Sequence, residues 1–247
     1  MKLIADLHTH TTASTHAFST LRELVWQAQT LGMCAMAVTD HAPALPDSPH
    51  PHYFKNITSL PDILDDGFLL LKGAEVNVMD AGGALDLPER RLEKLDWVIA
   101  SLHHRCIEPM DVDTTTSLWL AIAENPLVDM IGHSETQEYL YDYDRATKAF
   151  AAHNKVVELN AGSAFSRPGN EGNLRRLAQS CKQNGAYVAV NTDAHSLYSL
   201  GHTEAVLKML AAIDFPEELV VNSSKERLRE TLRRHKKPIA QRIEGLW

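Results

Sequence analysis

The sequence predicts an α/β fold in which seven parallel strands close into a barrel. Three observations carry that expectation. Seven short apolar runs alternate with amphipathic or polar stretches along the chain, the pattern of repeated strand–helix units. Histidine, aspartate and glutamate residues recur just after those runs, where a barrel of this kind gathers its site residues at one mouth. Neither a G-x-G-x-x-G nor a G-x-x-x-x-G-K-S/T phosphate loop is present, and a doubly wound open sheet would spread the strand-end residues apart.

The first run, Ile4 to Leu7, leads into His8-Thr9-His10. Residues i and i+2 of a strand share a face, so two imidazoles can aim at one point. A polar loop containing His16 follows. Ser19 or Thr20 can cap a helix whose apolar stripe is Leu21, Leu24, Val25 and Ala28, and Gly32 ends it. Met33 to Val38 is a strand buried on both faces, finishing in Thr39-Asp40-His41. Residues 42–56 form a long loop rich in proline and histidine, and residues 58–66 are expected to make a short helix. Phe68 to Asn77 is the third strand, with Glu75 near its end.

Pro88 to Glu93 reads as a helical connector and Trp97 to Leu102 as the fourth strand, ending in His103-His104. Thr114 to Glu124 is helical, and Val128 to Gly132 is a strand ending at His133. Asp142 to His153 is helical, and Val156 to Asn160 is the sixth strand. Glu171 to Asn184 is a helix stopped by Gly185, and Tyr187 to Asn191 leads into Thr192-Asp193-Ala194-His195. The remainder is helical over Thr203 to Leu210 and Lys225 to Arg234, with Asp214-Phe215-Pro216 as the break. No repeat or linker interrupts the chain, so residues 1–247 are expected to form one domain.

An apolar content of 44% suffices for a packed core. No run of about eighteen apolar residues marks a membrane span. The chain enters a strand at once without a signal-peptide pattern. Three widely spaced cysteines disfavour a disulfide framework and fit a reducing cytoplasm. A net charge of −8 disfavours binding to long nucleic acids. A structural zinc site takes four ligands and prefers thiolates. This chain offers imidazole and carboxylate instead, which favours catalytic divalent ions. Such ions acidify a bound water into a hydroxide nucleophile and offset charge on phosphoryl oxygens.

The same residues carry a resemblance. The H-x-H, Asp40-His41, Glu75, the lone strand-end histidines and Asp193-Ala194-His195 resemble, in order, the PHP (polymerase and histidinol phosphatase) superfamily over residues 2 to about 200. The chain length, the stretch Ser14 to Thr20 and Asp214-Phe215-Pro216 look most like the small bacterial YcdX-type phosphatases. The resemblance implies a distorted (β/α)7 barrel with a trinuclear, usually zinc, centre at its carboxyl-terminal mouth. Position by position, it implies that His8, His10, Glu75 and Asp193 hold one ion. Glu75 then bridges to a second held by His103 and His133, and His16, His41 and His195 hold the third. The sequence departs from the family at His133-Ser134-Glu135, where His-Pro is common. It departs again at His104-Arg105, where an acidic residue and proline are familiar.

Arg167 follows the sixth strand and can grip two phosphate oxygens. His104 is a candidate proton donor to a leaving group. The expected activity is hydrolysis of a small phosphomonoester with three divalent ions, Zn2+ favoured and Mn2+ or Fe2+ compatible. Two alternatives stay open: a nucleotide or nucleic-acid 3′-end phosphoesterase, and a metal-binding regulatory protein without chemistry. An amidohydrolase also begins with H-x-H, but it needs a bridging lysine, and Lys72 lies before its strand's end. His50 and His52 are read as loop residues and His153 as a helix-end cation. His202 and His235 are read as surface residues, Arg233 to Lys237 as a solvated helix end, and Trp26 and Trp119 as packing residues.

Overall fold

The computed structural model describes residues 1–167 and 169–247. Seven strands form one sheet in sequence order: β1 (Ala5–Asp6), β2 (Ala35–Val38), β3 (Leu69–Asn77), β4 (Trp97–Ser101), β5 (Met130–Ile131), β6 (Val156–Asn160) and β7 (Tyr187–Asn191). Every neighbouring pair is parallel. The helices are α1 (Leu21–Thr30), α2 (Tyr53–Asn56), α3 (Glu89–Leu92), α4 (Val112–Glu124), α5 (Tyr143–Ala152), α6 (Ser163–Ser166), α7 (Glu171–Asn184), α8 (Glu204–Ala212), α9 (Lys225–Arg234) and α10 (Pro238–Arg242). No helix among the described residues is long and apolar enough to cross a membrane. The expected seven-stranded barrel is therefore the architecture observed, with one imperfect seam.

Side-chain alternation explains the barrel's interior. Ala35 and Ala37, Leu69 and Leu71, Trp97 and Ile99, Val156 and Ala189 belong to one inner cluster. Met36, Val38, Leu70, Val76, Val98, Ala100 and Val157 pack outward in a second cluster that includes Leu24, Trp119, Phe150 and Leu177 from the helices. Continuing the inner parity upward reaches Glu75, Ser101, Glu158 and Asn191, all fully buried. The interior thus grades from apolar at one end to polar at the other.

The seam lies between β1 and β7, which share only the bridge Thr9 to Ala194. Asn222, fully buried, fills it. Its Nδ2 donates to the carbonyls of Ala5 (2.9 Å) and Val190 (2.7 Å), while its Oδ1 accepts from Val190 N (3.2 Å). Its own carbonyl accepts from Ile4 N (2.9 Å). The apolar end is plugged by Leu228 and Leu232 of α9, by Ile239 of α10, and by Ile243 and Trp247.

Several local expectations are corrected. The first strand is only two residues long, because the chain bends at Leu7 and leaves His8 and His10 beyond the ladder. Residues 58–66 do not form a helix. Single turns at Ile57–Ser59 and Asp65–Gly67 flank Ile63, which pairs antiparallel with Leu69, and Pro61 cannot donate a backbone bond. Trp26 is 59% exposed, because the buried stripe of α1 is Leu24, Val25 and Ala28.

His235 is not a surface residue. Its Nδ1 meets Asp129 Oδ1 at 3.0 Å and its Nε2 meets Asn154 O at 2.6 Å, while its ring stacks on Trp97. Lys237, in the run expected to be solvated, reaches the same carboxylate at 2.6 Å.

A second ion cluster fixes α10. Arg242 Nε and Nη2 donate to Asp62 at 2.7 and 3.1 Å, and Nη2 donates to Asp96 at 2.9 Å. Buried Lys72 contacts both Asp62 and Asp96, so it is tied up away from the mouth. The hydrogen bonds from Arg242, then Lys72, outweigh burial and hold Asp62 down to about 2 from its ordinary 3.8. A lowered carboxyl pKa contributes stability above the unfolded value and loses it as pH falls through the folded one. Asp62→Asn is expected to cost about 1 kcal/mol at pH 7, less than the full shift implies because solvent reaches this carboxylate and screens its partners, with the difference from wild type shrinking toward pH 2. Urea unfolding at both pH values checks this, and a gap that is undiminished at pH 2 refutes it.

Candidate metal centre

At the polar end, Glu75 is surrounded by five histidines. Its Oε2 lies 3.4 Å from His8 Nε2, 3.5 Å from His10 Nε2 and 2.6 Å from His41 Nδ1. Its Oε1 lies 3.4 Å from His103 Nε2 and 2.8 Å from His133 Nε2. Asp193 Oδ1 approaches His10 Nε2 at 3.0 Å and His8 Nε2 at 3.5 Å. His195 and His41 stand with their ring centroids 4.3 and 4.2 Å from His10. His16, on the rim and 42% exposed, has its ring centroid 4.6 Å from that of His195 and 5.0 Å from that of His41.

The local backbone explains this convergence. Glu75 lies on the inner face of β3, and His41 bridges to it just beyond β2. His133 follows β5 with φ +23°, and Asp193 follows β7 with φ +53°. Both are left-handed conformations that non-glycine residues adopt at a cost, and such strain concentrates at functional sites.

Four of these histidines have Nδ1 engaged by an oxygen acceptor beside the cluster of Nε2 atoms. His8 Nδ1 meets Glu158 at 2.8 Å, His103 Nδ1 meets Asn77 Oδ1 at 2.7 Å, and His195 Nδ1 meets the Asp193 carbonyl at 2.8 Å. His16 Nδ1 meets Asp47 at 2.7 Å. A ring that donates from Nδ1 presents the lone pair of Nε2, the arrangement that orients metal-ligating histidines. Glu158 also accepts from His133 N (2.8 Å) and from Asn191 Nδ2 (3.0 Å), which locks it in place.

The donor set fits a cation by a further test. His8 Nε2, both ring nitrogens of His10, His41 Nδ1 and Glu75 Oε2 are buried without a well-aligned hydrogen bond, although His41 Nδ1 stands 2.6 Å from Glu75 Oε2 and His10 Nε2 3.0 Å from Asp193 Oδ1. Each such group costs about 1–3 kcal/mol when left unpaired, so five of them in one place call for a ligand. Among the described residues three triads have donor atoms within 4.8 Å of one another: His10, His41, His195; His8, His10, Glu75; and His41, Glu75, His103. His16, His133 and Asp193 surround these triads without entering one. Burial opposes ionisation of Glu75, but His8, His103 and His41 outweigh it and hold the carboxyl well below its usual range. Burial, followed by Arg167, pushes His133 down to about 4 and leaves a neutral ring.

A cleft of about 650 Å³ opens over this cluster, lined by His16, His104, Arg105 and Arg167 among others. Arg167 Nη2 lies 3.4 Å from Asp193 Oδ2, and its Nη1 donates to Ser163 and Ser166 Oγ at 3.2 Å. Ser163 in turn donates to buried Glu135. The departure at His133-Ser134-Glu135 therefore supplies the support for the arginine loop. His50, His52, His153 and His202 are exposed, and they do not enter the triads.

Sequence reasoning missed Glu158, Asn77 and Glu135. Glu158 left a readable signal as the single charge inside the apolar run Val156 to Leu159. Glu135 stood in a visible departure from the family pattern, but its tie to Ser163 did not show there, and Asn77 left no signal, because both roles depend on which loop lies opposite.

The pattern of the PHP domain family matches residues 6–193. The chain is 37% identical to a "Probable phosphatase" of Acetivibrio thermocellus, over 98% of this chain and 100% of that one. It is 41% identical to another probable phosphatase, from Caldanaerobacter subterraneus, over 97% and 94%. Its fold is similar to histidinol phosphate phosphatase of Lactococcus lactis, solved with zinc, L-histidinol and phosphate. That match has a TM-score of 0.61 and 19% identity, covering 86% of this chain and 94% of the other.

Proposed function

This chain belongs to the PHP domain family, and on that premise we propose that it is a metal-dependent phosphomonoesterase acting on a small phosphorylated metabolite. The observation that carries this reading is Glu75, fully buried with its two oxygens 2.6 to 3.5 Å from the ring nitrogens of five histidines. The probable phosphatases similar over nearly the whole chain support the reaction class. The zinc in the similar histidinol phosphate phosphatase supports the type of ion.

We assign three divalent ions, zinc first, to His8, His10, Glu75 and Asp193; to Glu75, His103 and His133; and to His16, His41 and His195. Residues 1–247 act as a single unit in this reading. When bound, such ions supply an acidified water for attack at phosphorus and positive charge facing the phosphoryl oxygens. The protein's own part is orientation. Glu158 and Asn77 fix the rings of His8 and His103. Arg167, braced by Ser163 and Asp193, holds two phosphate oxygens through its free guanidinium edge. His104, 62% exposed in the same cleft, hands a proton to the departing alkoxide.

Phosphate release from a panel of phosphomonoesters tests the assignment, before and after dialysis against a chelator. Turnover is expected with metal-loaded protein, loss after chelation, and recovery on adding zinc or manganese. Activity that survives complete metal removal overturns the metal-dependent reading.

A further inference from the structure

A second cleft, of about 360 Å³, opens beside the first, and the two share His103, His104, Ser166 and Arg167 in their walls. It is of small-metabolite size, at the lower end of the roughly 300–1,000 Å³ typical of ligand pockets. Its far wall is made by Gln137, Glu138 and Asn170. Their hydrogen bonds determine what they present. Arg176 Nη2 donates to Asn173 Oδ1 at 2.5 Å, which turns the Asn173 amide so that its Nδ2 donates to Glu135 O and to Gln137 Oε1, each at 3.0 Å. Gln137 N donates to Asn170 Oδ1 at 3.1 Å. Each carbonyl oxygen has a donor, while the NH2 groups of Gln137 and Asn170 make no hydrogen bond among the described residues, which leaves them as the donors available to this wall. Glu138 is exposed and forms no ion pair among the described residues, so it adds a free acceptor.

We infer that this second cleft receives the leaving alcohol of the substrate, and that it selects a hydroxyl-rich, sugar-like or polyol group. The inference rests on the phosphomonoesterase reading of the adjoining cleft. Hydroxyls both donate and accept, so they satisfy two NH2 groups and a carboxylate together. An ammonium group would face the two donors, and a second anion would face Glu138. For a nucleobase the wall offers the His103 and His104 imidazoles and the Arg167 guanidinium, but no open phenol, phenyl or indole face. Tyr139, the only phenolic, phenyl or indole ring in this wall among the described residues, is 2% exposed, with its hydroxyl donating to Ile107 O at 2.7 Å. A site built to bond hydroxyls strongly rejects analogues that lack them, because its polar groups are then left unpaired.

The test compares hexitol 6-phosphate, n-hexyl phosphate and adenosine 5′-monophosphate on the metal-loaded protein. Calorimetry on the non-hydrolysable hexitol and hexyl phosphonates runs in parallel. Wild type is expected to prefer the hexitol ester over the hexyl ester by about 100-fold or more in kcat/KM, with the same order in phosphonate affinity. Asn170→Asp keeps the acceptor for Gln137 N and removes the donor, and it is expected to shrink that ratio about tenfold. Equal use of hexyl and hexitol esters, preference for the nucleotide, or an unchanged ratio in Asn170→Asp overturns the subsite and leaves the phosphatase standing. Selective binding of the hexitol phosphonate with no turnover of any ester overturns the phosphatase and leaves the subsite. No binding of either phosphonate overturns both.

Discussion

Replacing Glu75 with alanine is expected to lower bound metal from nearly three ions per chain to one or fewer and to reduce phosphate release by about 10³-fold or more. One carboxylate approaches five imidazoles within 3.5 Å, and its two oxygens serve different histidines. Removing it takes away the group shared by two of the three triads. Glu75→Gln is the shape-preserving companion: it keeps the volume but discards the charge that offsets the ions. Elemental analysis of tag-free protein, with circular dichroism as the folding control, reads the result. Wild type carrying one ion or none after soaking with zinc overturns the three-ion assignment. A Glu75→Ala protein that keeps its full complement removes Glu75 from the centre.

Asn222→Ala is expected to destabilise the fold by about 3–5 kcal/mol. The side chain satisfies three backbone groups across the β1–β7 seam, the carbonyls of Ala5 and Val190 and the amide of Val190. Alanine leaves all three buried without partners, at about 1–3 kcal/mol each. Asn222→Asp keeps an acceptor for Val190 N but turns a buried carboxylate oxygen on the Ala5 and Val190 carbonyls, and it is expected to cost at least as much as alanine. Urea unfolding at neutral pH measures both. A loss under about 1 kcal/mol in Asn222→Ala shows that the seam holds without it.

The barrel was legible because burial on both faces makes strands such as Leu69 to Leu71 and Trp97 to Ile99 continuous apolar runs. The positions of His41, His103, His133 and Asp193 were legible because each falls within three residues of the end of such a run. What the sequence hid depends on long-range register. His235 follows a helix in a basic run, and only its meeting with Asp129, 106 residues away, buries it. Asn222 lies in a three-residue turn that has no strand or helix signature, yet it closes the barrel. Trp26 was misread for a different reason. An aromatic ring suggests the core, but its place off the Leu24, Val25, Ala28 stripe decides its exposure.

The seam also sets the order in which a ribosome delivers the working parts. The first strand and His8-Thr9-His10 are made well before their partners across the seam, since Ile4 and Ala5 bond to Asn222. Thr9 pairs with Ala194, and His10 N donates to the Ala194 carbonyl at 2.9 Å. Until Ala194 and Asn222 have been made, β1 has only β2 as a strand partner. His8 and His10 therefore wait, paired on one side, for Asp193 and His195 to arrive. Two of the three triads, His8-His10-Glu75 and His41-Glu75-His103, draw on nothing beyond residue 103, whereas the His10-His41-His195 triad is completed only once the segment after β7 is in place.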